Sequence, residues 1–210
     1  MTGQTMETAT VAPANQKRRI NTLRVVMAMM LPLIVLTRPG LPLPEIVIEL
    51  IESTGILLVI GGVLGRFWSI LYIGSRKNTM VMQDGPYSMC RHPLYLFSVL
   101  SVLGFGFMLG SVLLTFLMTG LIFYVLHDIA GKEERFLRSE FGPAYEAYAA
   151  RVPRILPRFG QFQTPQAVAF DVTTLRRNFF DALVFLSLIP LGELMEYFKD
   201  LQAWPTFPLY

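Results

Sequence analysis

The sequence predicts an all-α, polytopic membrane bundle of about five transmembrane helices with a cytoplasmic amphipathic helix and no Rossmann domain. Three observations carry this. Hydrophobic residues make up 53% of the 210 positions and charged residues only 16%, outside the soluble range of about 45–50% and roughly 25%. The mean hydropathy is +0.48. The charges also cluster, at Lys17-Arg18-Arg19, Arg76-Lys77, Arg91-His92 and from Lys132 to Arg158, with long apolar runs between. A soluble helical protein would interleave charge with apolar residues at helical spacing.

The elements follow in order. Residues 1–19 read as a disordered cytoplasmic tail, polar and rich in Thr and Ala up to Lys17-Arg18-Arg19, with no cleavable secretory signal. Residues 20–210 read as one membrane-embedded domain. About 20 apolar residues cross ~30 Å of hydrocarbon. The first candidate span is Ile20 to Leu36, interrupted by Pro32, and the turn from Thr37 to Pro44 holds three prolines and a glycine. The second runs from Glu45 to Gly74, with its apolar centre from Gly55 to Ile73 enclosing Arg66. A polar connection leads to a third span from Pro93 to Leu109, because Pro suits a first helical turn. Gly110-Ser111 breaks the chain before a fourth span, Val112 to Ile129. From Gly131 to Arg158, Phe136, Leu137, Phe141, Tyr145, Tyr148 and Val152 recur at helical spacing. They suit a helix on the bilayer surface, split at Gly142-Pro143. The fifth candidate is Asn178 to Phe198, interrupted by Asp181, Pro190 and Glu193.

The Lys and Arg bias of the loops puts the N-terminus and the basic connections in the cytoplasm and Tyr210 on the opposite side. The net charge of +3 is therefore read as membrane anchoring and not as nucleic-acid binding. One cysteine and two histidines argue against a disulfide and a structural metal; Cys90 reads as a small filler.

Three constellations stand out near one interface: Gly85-Pro86-Tyr87 with Arg91-His92-Pro93-Leu94-Tyr95, Glu133-Glu134 with Leu137, and Arg66. Arg91 and His92 fall at a helix N-terminus, where free N–H groups favour an anion. Glu133 and Glu134 fall at a helix C-terminus and favour a cation. Together they suit a zwitterionic ligand such as an amino acid moiety. A mid-span Arg is expensive, ~2.5–3.5 kcal/mol on insertion scales, so Arg66 should face a cavity or an anion. Taken singly these residues have plainer explanations. Arg91-His92 would be an interfacial anchor, the Glu pair a solvated helix end, Arg66 a snorkelling cation, and Tyr145 and Tyr148 interface aromatics.

In order, G-P-Y-x-x-x-R-H-P-x-Y, two apolar helices, E-E-x-x-L, F-G-x-x-Y-x-x-Y and the basic-proline stretch Val152-Pro153-Arg154-Ile155-Leu156-Pro157 resemble the isoprenylcysteine carboxyl methyltransferase family. That family is related to the membrane phospholipid methyltransferases. The match covers about residues 55–158. The N-terminal span fits poorly, and the span after residue 175 lies outside the pattern. The resemblance implies methyl transfer from S-adenosylmethionine, leaving S-adenosylhomocysteine, to a lipophilic or lipidated acceptor drawn from membrane lipid. It implies a cofactor site formed by Tyr87, Arg91, His92, Pro93, Tyr95, Glu133, Glu134 and Leu137. Arg91 and His92 would hold the carboxylate of the methionine part and the Glu pair its ammonium, with Arg154 closing the pocket and Arg66 placing the acceptor. An acceptor carboxylate needs no base. Phospholipid N-methylation, thiol S-methylation and a non-enzymatic binder or transporter stand as alternatives.

Overall fold

The computed structural model describes residues 25, 28–40, 43–74, 79–201 and 205–209. The tail, the Lys17-Arg18-Arg19 cluster, the start of the first span and Arg76-Lys77 lie outside them. Residues 28–36 form the visible part of helix α1. Then come α2 (Glu45–Ile73), a short α3 (Pro86–Met89), α4 (Pro93–Met108), α5 (Val112–Phe141), α6 (Pro143–Arg151), α7 (Val172–Leu186) and α8 (Leu188–Asp200). The only sheet among the described residues pairs β1 (Thr37–Pro39) in parallel with β2 (Phe207–Leu209). This is the expected all-α membrane bundle, and the protein is an integral membrane protein.

Three helical stretches are long and apolar enough to cross a bilayer: Glu45–Ile73, Val112–Phe141 and Val172–Lys199. The third expected span, α4, is a shorter apolar helix of 16 residues, about 24 Å long at 1.5 Å per residue. It packs between α2 and α5. The α2–α4 seam is built on small residues. A Cβ at Gly55 would stand 2.6 Å from Gly104 O, and one at Gly62 would stand 2.7 Å from Phe97 O. Only residues without a side chain let these backbones approach so closely, the usual basis of packing between membrane helices. Gly106 serves likewise against Thr115 of α5.

Beyond α5, the bundle departs from expectation at three points. The amphipathic stretch is not a separate surface helix from residue 131, because α5 runs unbroken to Phe141. The chain reverses at Gly142, whose φ of 49° favours glycine, and α6 folds back. Second, Tyr145 and Tyr148 are not interface aromatics. They are 1% and 3% exposed and form a buried cluster with Val152, flanked by Val81, Leu137 and Phe141. Their apolar stripe meets the chain before α3 instead of lipid. Third, the last expected span starts earlier, at Val172, where Asp171 caps the helix by accepting from Thr174 N at 2.6 Å. It breaks at Ser187 because Pro190 cannot donate to the Leu186 carbonyl and its ring crowds that oxygen. Most of its apolar side chains are exposed, including Phe180, Val184, Leu191 and Leu194, as a lipid-facing helix requires.

The two ends of the bundle differ in chemistry. At one end Met30 and Ile34 of α1 join Met108, Leu109 and Leu114 in a buried apolar cluster around the Gly110 turn. At the other, the segments before α4 and after α6 run side by side and gather the charged residues.

Candidate active site

The site is assembled by backbone hydrogen bonds between two irregular segments. Arg91 N donates to Pro153 O at 2.9 Å and His92 N to Arg154 O at 3.0 Å. Arg158 N donates to Met89 O, Gly85 N to Gln163 O at 2.7 Å, and Gln163 N to Ser88 Oγ. The G-P-Y and R-H-P motifs are thereby strapped to the basic-proline stretch. Gly85 supplies the turn: its φ is 59°, and its α-carbon lies against the Tyr72 ring, leaving no room for a side chain. Tyr148 secures α6 to the same segment by donating from its hydroxyl to Tyr87 O at 2.8 Å.

Glu134 is the centre. Its side chain is 2% exposed and faces three cationic or protonatable groups. Arg154 grips it with two nitrogens, Nε to Oε1 at 2.9 Å and Nη2 to Oε2 at 2.7 Å. His92 Nε2 lies 3.2 Å from Oε1, and Arg91 Nη2 lies 3.4 Å from the same oxygen. Glu133 Oε2 stands 3.8 Å from His92 Nδ1, so the imidazole sits between the two carboxylates. Tyr95 stacks parallel on His92, with ring centroids 5.3 Å apart. On its other side Tyr95 packs with Ile122, Leu126 and Ile129 of α5. Pro93 is buried at the start of α4.

Two premises of the sequence reading change here. The backbone N–H groups of Arg91 and His92 are not free for an anion, since Pro153 and Arg154 accept from them. An anion at this point would be held by side chains. Nor do Glu133 and Glu134 lie at a helix end. Seven more residues of α5 follow Glu134, and the dipole acts only within the last turn. Their charge alone, set against the neighbouring cations, makes the field.

Burial shapes the remaining groups. Desolvation pushes the Cys90 thiol up to about 12, which makes it an inert filler. Desolvation, followed by the nearby Glu134 charge, raises the Tyr145 hydroxyl to about 12. Tyr87 is raised well above the ordinary phenol value, first by burial and then by Tyr148. The Tyr87 hydroxyl and Arg91 Nε are buried with no hydrogen-bond partner among the described residues. Two unmet polar groups beside a carboxylate pair are the donor set a polar, zwitterionic ligand would satisfy.

Leu137 lies one turn past Glu133–Glu134, partly buried against Tyr145 and Tyr148. Arg66 stands apart from this cluster. From α2 it donates to the Ser98 hydroxyl of α4 and lies over the Phe185 ring of α7, 4.9 Å from its centre. It borders a small recess between α2 and α7, lined by Val63, Phe67, Ile70, Asn178 and Ala182. Sequence reasoning missed Ser98, Phe185 and Asn178, because no local pattern links α7 to α2. It also passed over His127, which faces Arg154. His127 and Glu134 are seven residues apart on α5, so helical periodicity was a signal that could have found it.

Among the described residues the chain is a helical bundle with no nucleotide-binding sheet, and a buried carboxylate is ringed by Arg and His at one end. A family model for phospholipid methyltransferases matches residues 50–144. A cobalt-zinc-cadmium resistance protein of Cupriavidus metallidurans is 35% identical over 72% of this chain and 69% of its own length. A nickel-cobalt-cadmium resistance protein of Alcaligenes xylosoxydans xylosoxydans is 33% identical over 75% and 73%. A protein-S-isoprenylcysteine O-methyltransferase of Schizosaccharomyces pombe is 32% identical over 44% of this chain and 40% of its own. No solved structure matches. The chain belongs to the same family as these two resistance proteins, and its matches to the phospholipid and isoprenylcysteine methyltransferases support an integral membrane protein of methyltransferase type.

Proposed function

We propose that the protein transfers the methyl group of S-adenosylmethionine to the carboxylate of a lipophilic acceptor, such as an isoprenylcysteine, at the cytoplasmic face. The observation that carries this is the convergence of Arg91, His92, Glu133, Glu134 and Arg154 in one buried cluster. Its charges neutralise one another. A zwitterion can enter such a cluster by exchange of partners, its carboxylate beside Arg91 and His92 and its ammonium beside Glu134 and Glu133. No net charge is then transferred into low dielectric, where an unpaired ion costs several kcal/mol, of the order known for buried pairs. The Tyr87 hydroxyl and Arg91 Nε supply the unmet donors. Tyr87, Tyr95, Pro93 and Leu137 supply the apolar walls, and Arg154 closes the site over Glu134.

When bound, the cofactor supplies a methyl group on a sulfonium, open to in-line displacement. Arg66 holds the acceptor carboxylate, which is ionised at neutral pH with an ordinary pKa near ~4 and needs no base. Ser98 and Phe185 keep the Arg66 guanidinium in place between α2, α4 and α7. The apolar surroundings favour the approach of opposite charges that cancel, and fixed orientation contributes much of the remainder.

The test is incubation of the protein in lipid with methyl-labelled S-adenosylmethionine and four acceptors: a prenylated cysteine, a fatty acid, an amine phospholipid and a lipophilic thiol. Label released by base as methanol supports a methyl ester. Base-stable label moves the acceptor to nitrogen or sulfur, the reading favoured by the phospholipid methyltransferase match over residues 50–144. No transfer and no cofactor binding would overturn the proposal. Arg66→Ala should abolish transfer and leave cofactor binding nearly intact; loss of both would remove Arg66 from the acceptor role. Two relatives are named for resistance to cobalt, zinc, cadmium and nickel. Carried to this chain, those names add a physiological test, in which loss of the protein sensitises cells to the same cations.

A further inference from the structure

Arg154 is held on all three nitrogens. Nε and Nη2 grip Glu134, and Nη1 lies 3.2 Å from Nε2 of His127. A guanidinium has donors only, so His127 Nε2 must accept. The contact therefore calls for the tautomer with its proton on Nδ1. His127 is carried on the same face of α5 as Glu134, two turns earlier, and its ring leans on Phe123 with centroids 6.0 Å apart. Its charged neighbours on α5, Asp128 and Lys132, pair with each other at 2.6 Å. The segment after α6 faces it with Arg154 itself.

We propose that His127 is a positioning residue for methyl transfer: it holds the free edge of Arg154 so that the guanidinium stays flat against Glu134. This rests on the reading of Arg154 and Glu134 as part of the cofactor site. The physical reason is geometric. Two bonds to one carboxylate leave Arg154 free to swing about the Glu134 axis, and it is one-third exposed on a flexible stem. A third contact from a rigid ring on α5 removes that freedom.

The experiment uses the full chain in lipid, with nitrogen-15 in its histidines. The chain has two, His92 and His127, so the variant His127→Gln assigns the spectrum. The expected result without any cofactor is the Nδ1–H tautomer for His127 at neutral pH, lost in Arg154→Ala. In the transfer assay His127→Ala should lower kcat/KM roughly ten- to hundredfold, the range of one charge-assisted hydrogen bond. His127→Gln, whose amide oxygen accepts the same bond, should recover most of that loss. An Nε2–H tautomer in the wild type would overturn the proposal. So would a His127→Ala protein that binds cofactor and turns over like the wild type. A wild type that binds no S-adenosylmethionine would instead overturn the parent reading, while the tautomer result still decides the Arg154–His127 contact.

Discussion

Glu134 shows how much one side chain can carry. It is almost fully buried and faces Arg91, His92 and Arg154. Replacing it with Ala strands the buried cations, and loss of one partner of a buried pair costs about 3–5 kcal/mol. Glu134→Ala should therefore lower thermal stability in detergent and abolish S-adenosylmethionine binding, measured by denaturation and by calorimetry. Glu134→Gln keeps the shape and loses the charge; it should fold better than the Ala variant and still fail to bind. An unchanged binding constant would remove Glu134 from the ammonium role. Cys90 gives the opposite kind of prediction. With its thiol raised to about 12 by burial, it has almost no thiolate at pH 8, and the thiolate is the nucleophile. A maleimide should leave the folded protein unlabelled at pH 8 and label it after denaturation.

At the scale of elements, the α2–α4 seam decides whether the bundle forms. A side chain at Gly62 would collide with the backbone of Phe97 and the hydroxyl of Ser101, whereas Gly61 has nothing within 4 Å. Gly62→Leu should destabilise the protein by about 3 kcal/mol or more, at the upper end of overpacking. Gly61→Leu on the same helix should be nearly neutral. Equal melting temperatures for the two would contradict the packing described here. Ser98, which receives the Arg66 hydrogen bond, lies on this seam, so the first variant should lose transfer as well. The break between α7 and α8 is a separate element. Pro190→Ala restores the missing backbone donor, and it should leave cofactor binding unchanged while raising helix content slightly by circular dichroism.

For the whole molecule, the two ends imply an orientation. The charged straps, Arg154 and the Glu pair gather at one end, and β1–β2 joins residues 37–39 to 207–209. If the Lys and Arg bias sets the basic end in the cytoplasm, β2 is expected on the opposite side of the membrane. Alkaline phosphatase fused after Tyr210 should be active and a fluorescent protein there dark; the reverse would invert the proposed topology.

Much of this was legible in the chain. Apolar runs and clustered charge determined a helical membrane protein, because water-free surroundings leave few other ways to satisfy a backbone. The ordered motifs from Gly85 to Pro157 pointed to the membrane methyltransferases that the chain is similar to. Pro93 and Gly110 marked real boundaries, since both act through local backbone geometry. The rest needed the tertiary structure. Period alone could not tell whether the stripe carrying Tyr145 and Tyr148 meets lipid or protein, because both are apolar partners. Nor could it show that Pro153 and Arg154 occupy the N–H groups of Arg91 and His92, a pairing between segments some 60 residues apart. The same crossing sets Arg154 between Glu134 and His127. Such contacts depend on how helices pack, and one strand of sequence holds no local record of that.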